Sequence, residues 1–139
     1  MAKTLATIFG VILVLLGLLG FVSNPLIGAN ALFAADAVHN LIHIILGAIL
    51  LIVAFWAESG SMLWLKIIGV VTFLLGLIGI FSVPSSGGLL LGIAWTNGAA
   101  NWLHLVIGII IFAGAYWGKE KMMPPPTGMG MPPMQRPSM

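Results

Sequence analysis

HNLIHIILGAILLIVAFWA, residues 39–57, decides the fold of this chain. From Ile44 to Ala57 the stretch carries no polar side chain. At 1.5 Å rise per residue that run covers only about 21 Å, and the hydrocarbon core of a bilayer is about 30 Å thick. A helix that crosses it must start earlier and take His43 and Asn40 with it. The same reading applies to NWLHLVIGIIIFAGAYWG, residues 101–118, where Asn101 and His104 precede the apolar part. Two further apolar runs, at residues 5–22 and 62–82, are long enough as they stand.

Composition agrees with a membrane protein. The chain has 139 residues, 60% hydrophobic and 6% charged. Soluble domains carry about 25% charged residues, so a soluble globule is excluded, and so much apolar sequence excludes disorder. Cysteine is absent, which removes disulfides, thiolate metal sites and cysteine nucleophiles. A net charge of +2 gives no footprint for nucleic acid.

The chain repeats itself. Residues 8–25 align with 67–84, sharing Gly10/Gly69, Gly17/Gly76, Gly20/Gly79, Ser23/Ser82 and Pro25/Pro84. Residues 36–56 align with 97–117, pairing Asn40 with Asn101, His43 with His104, Gly47 with Gly108 and Trp56 with Trp117. Asp36 falls opposite Asn97. The expected fold is an all-α integral membrane bundle of four transmembrane helices, built from two tandem parallel helix-hairpin repeats. Its transmembrane domain is 1–121, with repeat 1 at about 5–57 and repeat 2 at about 62–118. Because residues 67–84 lie mid-chain, their match to 8–25 marks the first run as a retained helix and not a cleaved signal.

Lys3, Lys66, Lys119, Lys121 and Arg136 fall on one side of the four spans. The positive-inside rule therefore places both termini in the cytoplasm. Trp56, Tyr116 and Trp117 then belong to the inner interface. The loops 23–36 and 83–99 are neutral but for Asp36, and largely apolar, and are expected to lie on the membrane or cap the bundle. Residues 122–139, rich in Pro and Met, are expected to form a disordered tail. Thioethers such as Met122 and Met129 suit Cu(I), although a cytoplasmic tail competes there with thiols.

Asp36, Asn40, His43, Gly47 and Ala54 form one helical stripe, and Asn97, Asn101, His104, Gly108 and Ala115 another. The polar ends of the stripes suit a structural network that holds the helices in register. They also suit a ligand site: His39 and His43 stand at i, i+4, and with His104 make candidate metal ligands. Haem between His43 and His104 and a proton-handling role are further alternatives. Phosphate-loop, zinc-protease and nucleophile-elbow motifs are missing, and Asp36 is explained as a helix cap. The expectation is thus a non-enzymatic structural or accessory protein without a cofactor. The alternatives are a haem- or metal-binding protein using His43 and His104, and a small transporter or permeability factor. Expected partners are the lipid bilayer, a second copy of the chain or a larger membrane complex.

The phrases HNLIHIILGAILLIVAFW and TNGAANWLHLVIGIIIFAGAYW each follow a Gly-rich apolar helix. In this they resemble the bacterial membrane family called domain of unknown function 4383, with its N-x-x-H-x-x-x-G signature opening a helix. The resemblance covers about residues 5–118. It implies a small four-helix protein of the bacterial inner membrane and brings no activity, substrate or catalytic residue. The Met/Pro-rich tail departs from the family pattern.

Overall fold

A computed structural model describes residues 1–117. The tail expected at 122–139, and with it Lys119, Lys121, Arg136 and the tail methionines, lies outside the described residues. Four helices, each long and apolar enough to cross a membrane, account for most of the fold. They are α1 (Ala2–Leu19), α2 (Ala37–Trp56), α3 (Ser61–Ser82) and α4 (Gly98–Trp117). A single 3-10 turn, Glu58–Gly60, joins α2 to α3. As the length argument requires, α2 contains Asn40 and His43, and α4 contains Asn101 and His104.

Helix α1 packs along α2, and α3 along α4. Glycines set how close these pairs come. A Cβ built on Gly47 would lie 2.7 Å from the carbonyl oxygen of Gly10, and one on Gly108 would lie 2.8 Å from that of Gly69. Neither position has room for a side chain unless the helices separate. Small residues at such crossings let backbones meet where packing, not water, drives association. Further along, Gly17 meets the backbone of Asn40 and the side chain of Ile44, and Gly76 meets the backbone of Asn101 and Leu105.

The two hairpins share a core at the end that holds the N-terminus and the 3-10 turn, which we call the base. Ala6, Leu50, Ala54, Leu65, Ile111 and Ala115 are all buried there. Lys3 Nζ lies 3.1 Å from Glu58 Oε2 at the same end. The pair is exposed, so it contributes little to stability, at most about 1 kcal/mol. Trp56 and Trp117 end their helices at the base and are strongly exposed.

The opposite end is covered by the two long loops. They cap the bundle, one of the two placements the sequence suggests, and each carries a short ladder. In the first, β1 (Ile27–Gly28) pairs in parallel with β2 (Phe33–Ala34). In the second, β3 (Gly88–Leu90) and β4 (Ala94–Thr96) form an antiparallel hairpin. The physical reason is that apolar loops lying over a bundle cannot leave their backbone groups to water, so they pair them. Asn24 supplies what the first loop lacks. The two N–H groups of its Nδ2 are shared among the carbonyls of Leu19, Val22 and Ile27, and its Oδ1 accepts from the amides of Leu26 and Ile27. The hairpin turns through Leu91 and Gly92, both with positive φ (53° and 72°). That is the backbone of a type I′ turn.

Candidate functional site

Both capped helices start in the same way. Asp36 is the N-cap of α2, and its Oδ1 accepts from the His39 amide at 2.8 Å. Asn97 does the same for α4, its Oδ1 accepting from the Ala100 amide at 3.0 Å. Asn97 does more than cap. Its Nδ2 donates to the Leu32 carbonyl at 3.0 Å, and its Oδ1 also accepts from the Ala34 amide at 3.3 Å. One side chain of the second hairpin thus holds the loop of the first.

One turn into each helix, the two asparagines turn toward their own hairpins. The side chain of Asn40 fills the space beside Gly20, and that of Asn101 the space beside Gly79. Both are buried. Thr96 Oγ1 donates to Asn101 Oδ1 at 3.0 Å. The residue aligned with Thr96 is Ala35, which has no hydroxyl, and Asn40 Oδ1 has no partner. Asn101 Nδ2 is unpartnered as well.

The histidines turn the other way, toward each other. The ring centroids of His39 and His43 are 4.7 Å apart, those of His39 and His104 5.2 Å, and those of His43 and His104 5.8 Å. One ring nitrogen from each lies within 4.8 Å of the others. His39 Nδ1 is 2.9 Å from the carbonyl oxygen of Trp95 on β4. A carbonyl oxygen only accepts, so this nitrogen carries a proton, and in the neutral ring that leaves Nε2 with the lone pair. Nδ1 of His43 and of His104 are buried without any partner. His104 stands six residues beyond the start of α4, about 9 Å along its axis.

Two cavities reach this cluster. One, about 120 Å³, lies within the bundle, lined by His39, His43, His104, Ile42, Ile68 and Thr72. The other, about 160 Å³, lies under the first loop, lined by the same histidines with Ile27, Phe33 and Ala100. The histidines stand between them.

The structure thus brings His39, His43 and His104 together at one depth. Asn40 and Asn101 stay apart from them, each on its own glycine, and Asp36 and Asn97 serve as caps. Sequence reading missed the Trp95 carbonyl, Thr96, Asn24 and the tie from Asn97 to Leu32. For Thr96 a signal existed, since it directly precedes the cap residue of α4; a backbone carbonyl gives none.

The profile of one family, Domain of unknown function (DUF4383), matches residues 3–117. The chain belongs to the DUF4383 family. No curated protein and no solved structure matches it. The family match spans all four helices of this DUF4383 chain and both loops over the histidines.

Proposed function

We propose that this DUF4383 chain is an integral protein of the bacterial inner membrane with both termini in the cytoplasm. It acts as a non-enzymatic structural or accessory component, on its own copies or in a larger membrane complex. One observation carries the membrane reading. Along the helices many large apolar side chains point outward while the asparagines are buried. Leu15, Ile52, Leu74 and Ile109 are exposed, whereas Asn40, Asn101 and Ser61 are not. Water penalises that arrangement, and lipid favours it.

The tandem repeat is part of the proposal. Gly10 on Gly47 matches Gly69 on Gly108, and Gly20 beside Asn40 matches Gly79 beside Asn101. Aligned residues thus make aligned contacts, which supports descent of the two hairpins from one unit. Lys3 and Lys66 both belong to the base end, which supports a cytoplasmic base.

The accessory role rests on how the polar groups are engaged. Asp36 caps a helix and Glu58 pairs with Lys3 at the other end, so the two carboxylates do not act together. The ties from Asn97 to the first loop and from His39 to Trp95 join the hairpins at the loop end. The test is a pair of reporter fusions active only outside the cytoplasm. A fusion at Ser86 is expected to be active and one after Met139 silent. The reverse pattern contradicts the orientation, and activity at both sites contradicts the even number of spans.

A further inference from the structure

We propose that His39, His43 and His104 bind one transition-metal ion of borderline softness, zinc(II) or an ion of like preference. This goes beyond the structural role above and does not depend on the membrane orientation.

Four observations point to an ion. First, the chain has three histidines in all, and all three meet in this one cluster. Second, they come from two helices in a pattern suited to coordination. His39 and His43 are one turn apart on α2, and His104 faces them from α4. Third, the hydrogen bond to the Trp95 carbonyl occupies Nδ1 of His39, so that in the neutral ring Nε2 is the nitrogen free to ligate. A ligating histidine nearly always gives its other N–H to a carbonyl or carboxylate in this way. Fourth, Nδ1 of His43 and of His104 are buried with no partner. Buried polar atoms are nearly always satisfied, so two orphans on rings whose centroids are 5.8 Å apart call for a missing partner.

The geometry is close to what an ion needs. Bonds of about 2.0–2.1 Å in a tetrahedron place neighbouring nitrogens about 3.3 Å apart. One ring nitrogen from each histidine lies within 4.8 Å of the others, so side-chain rotations can close the site. Imidazole nitrogens suit zinc, copper, iron and nickel, whereas the site has neither the thiolates that softer ions prefer nor the oxygens of calcium or magnesium sites. Three protein ligands leave a fourth position. The cavities of about 120 and 160 Å³ on either side have room for the water or small anion that would fill it.

A haem fits less well. His39 stands 4.7 and 5.2 Å from the rings of His43 and His104, in the space that a macrocycle between them would need. The two-fold pattern is also broken at this point. The residue aligned with His39 is Ala100, which lines the second cavity in place of a fourth imidazole. The expected stoichiometry is therefore one ion per chain.

The test uses the full chain, purified in mild detergent and stripped with a chelator. Zinc(II) and cobalt(II) are the probes, because the tail thioethers favour Cu(I) and do not compete for them. Equilibrium dialysis is expected to find one equivalent bound, and cobalt(II) is expected to give the visible absorption of a tetrahedral site. With histidine labelled for NMR, zinc(II) should shift all three imidazole signals, a reading that needs no variant. His39→Ala, His43→Ala and His104→Ala should each weaken binding on the order of 100-fold, while Asn24→Ala should still bind one equivalent. Failure of the native chain to bind an equivalent overturns the proposal. So does binding that leaves the imidazole signals unmoved or that survives in all three histidine variants.

Discussion

His39 on α2 and Trp95 on β4 are joined by a hydrogen bond of 2.9 Å between the imidazole Nδ1 and the main-chain carbonyl. The bond crosses from the first hairpin to the second and orients the ring that faces His43 and His104. Because the acceptor is backbone, changing the Trp95 side chain leaves it in place, whereas changing His39 removes it. His39→Ala is therefore expected to lower stability by about 1–3 kcal/mol for the Trp95 carbonyl left unpaired. Trp95→Phe should cost less. Denaturation of the two variants in the same detergent, followed by helical circular dichroism, gives the comparison.

Thr96 is the partner that Asn101 has and Asn40 lacks. Thr96→Val keeps the shape and removes the donor. Intramembrane hydrogen bonds average about 0.6 kcal/mol, and a buried acceptor left unpaired costs about 1–3 kcal/mol. The expected loss lies within that span. The reciprocal change, Ala35→Thr, places a hydroxyl at the position aligned with Thr96 and should recover a few tenths of a kcal/mol or more. A loss for Ala35→Thr as large as that for Thr96→Val would show that the two asparagine seats are not equivalent.

The glycine crossings make a steric prediction. A Cβ on Gly47 would meet Gly10 O at 2.7 Å and the Val14 amide at 2.8 Å, all fixed backbone. Gly47→Val is expected to separate α1 from α2 and destabilise the chain by several kcal/mol, in line with forced overpacking of a tight core. Gly114 is different, since a Cβ there meets only the end of the Leu5 side chain at 3.4 Å. Gly114→Ala should be neutral or mildly stabilising, as alanine favours a helix by up to about 1 kcal/mol over glycine. Thermal unfolding of the two variants should separate them clearly.

Leu91 occupies a left-handed position at the tip of the β3–β4 hairpin, with φ at 53°. Asparagine adopts that conformation readily and β-branched residues do not. Leu91→Asn should therefore be more stable than Leu91→Val by about 1 kcal/mol or more. Equal stabilities in a denaturation series would mean that the turn is not held as described.

Much of the fold was legible in the sequence because apolar run length is a strong constraint. The argument that Asn40 and His43 must lie inside α2 follows from the reach of a helix, and the structure places them there. The meeting of His43 with His104 was legible from their aligned positions, and His39 from its i, i+4 spacing. The turn of each asparagine toward its own hairpin was not legible. It depends on Gly20, at the end of α1, and Gly79, in α3, which make room only when each hairpin closes. The expected network of asparagine with histidine thus divides into two arrangements: Asn101 pairs with Thr96, and His39 with a carbonyl of Trp95. A carbonyl exists at every residue, so its role leaves no mark in the sequence. The ladders of the loops were hidden for the same reason, being backbone pairings of two or three residues.

The absence of cysteine makes the most direct test of the membrane account simple, since a single introduced thiol is the only one present. Ser86→Cys lies in the loop between α3 and β3, and Ser59→Cys in the turn between α2 and α3. Intact cells expressing each variant are treated with a thiol reagent that cannot cross the membrane. The account predicts that Cys at position 86 is labelled at once and that Cys at position 59 is labelled only after the membrane is opened. Labelling of position 59 in intact cells, with position 86 protected, would contradict the proposed orientation, and equal labelling of both would contradict a chain that spans the bilayer.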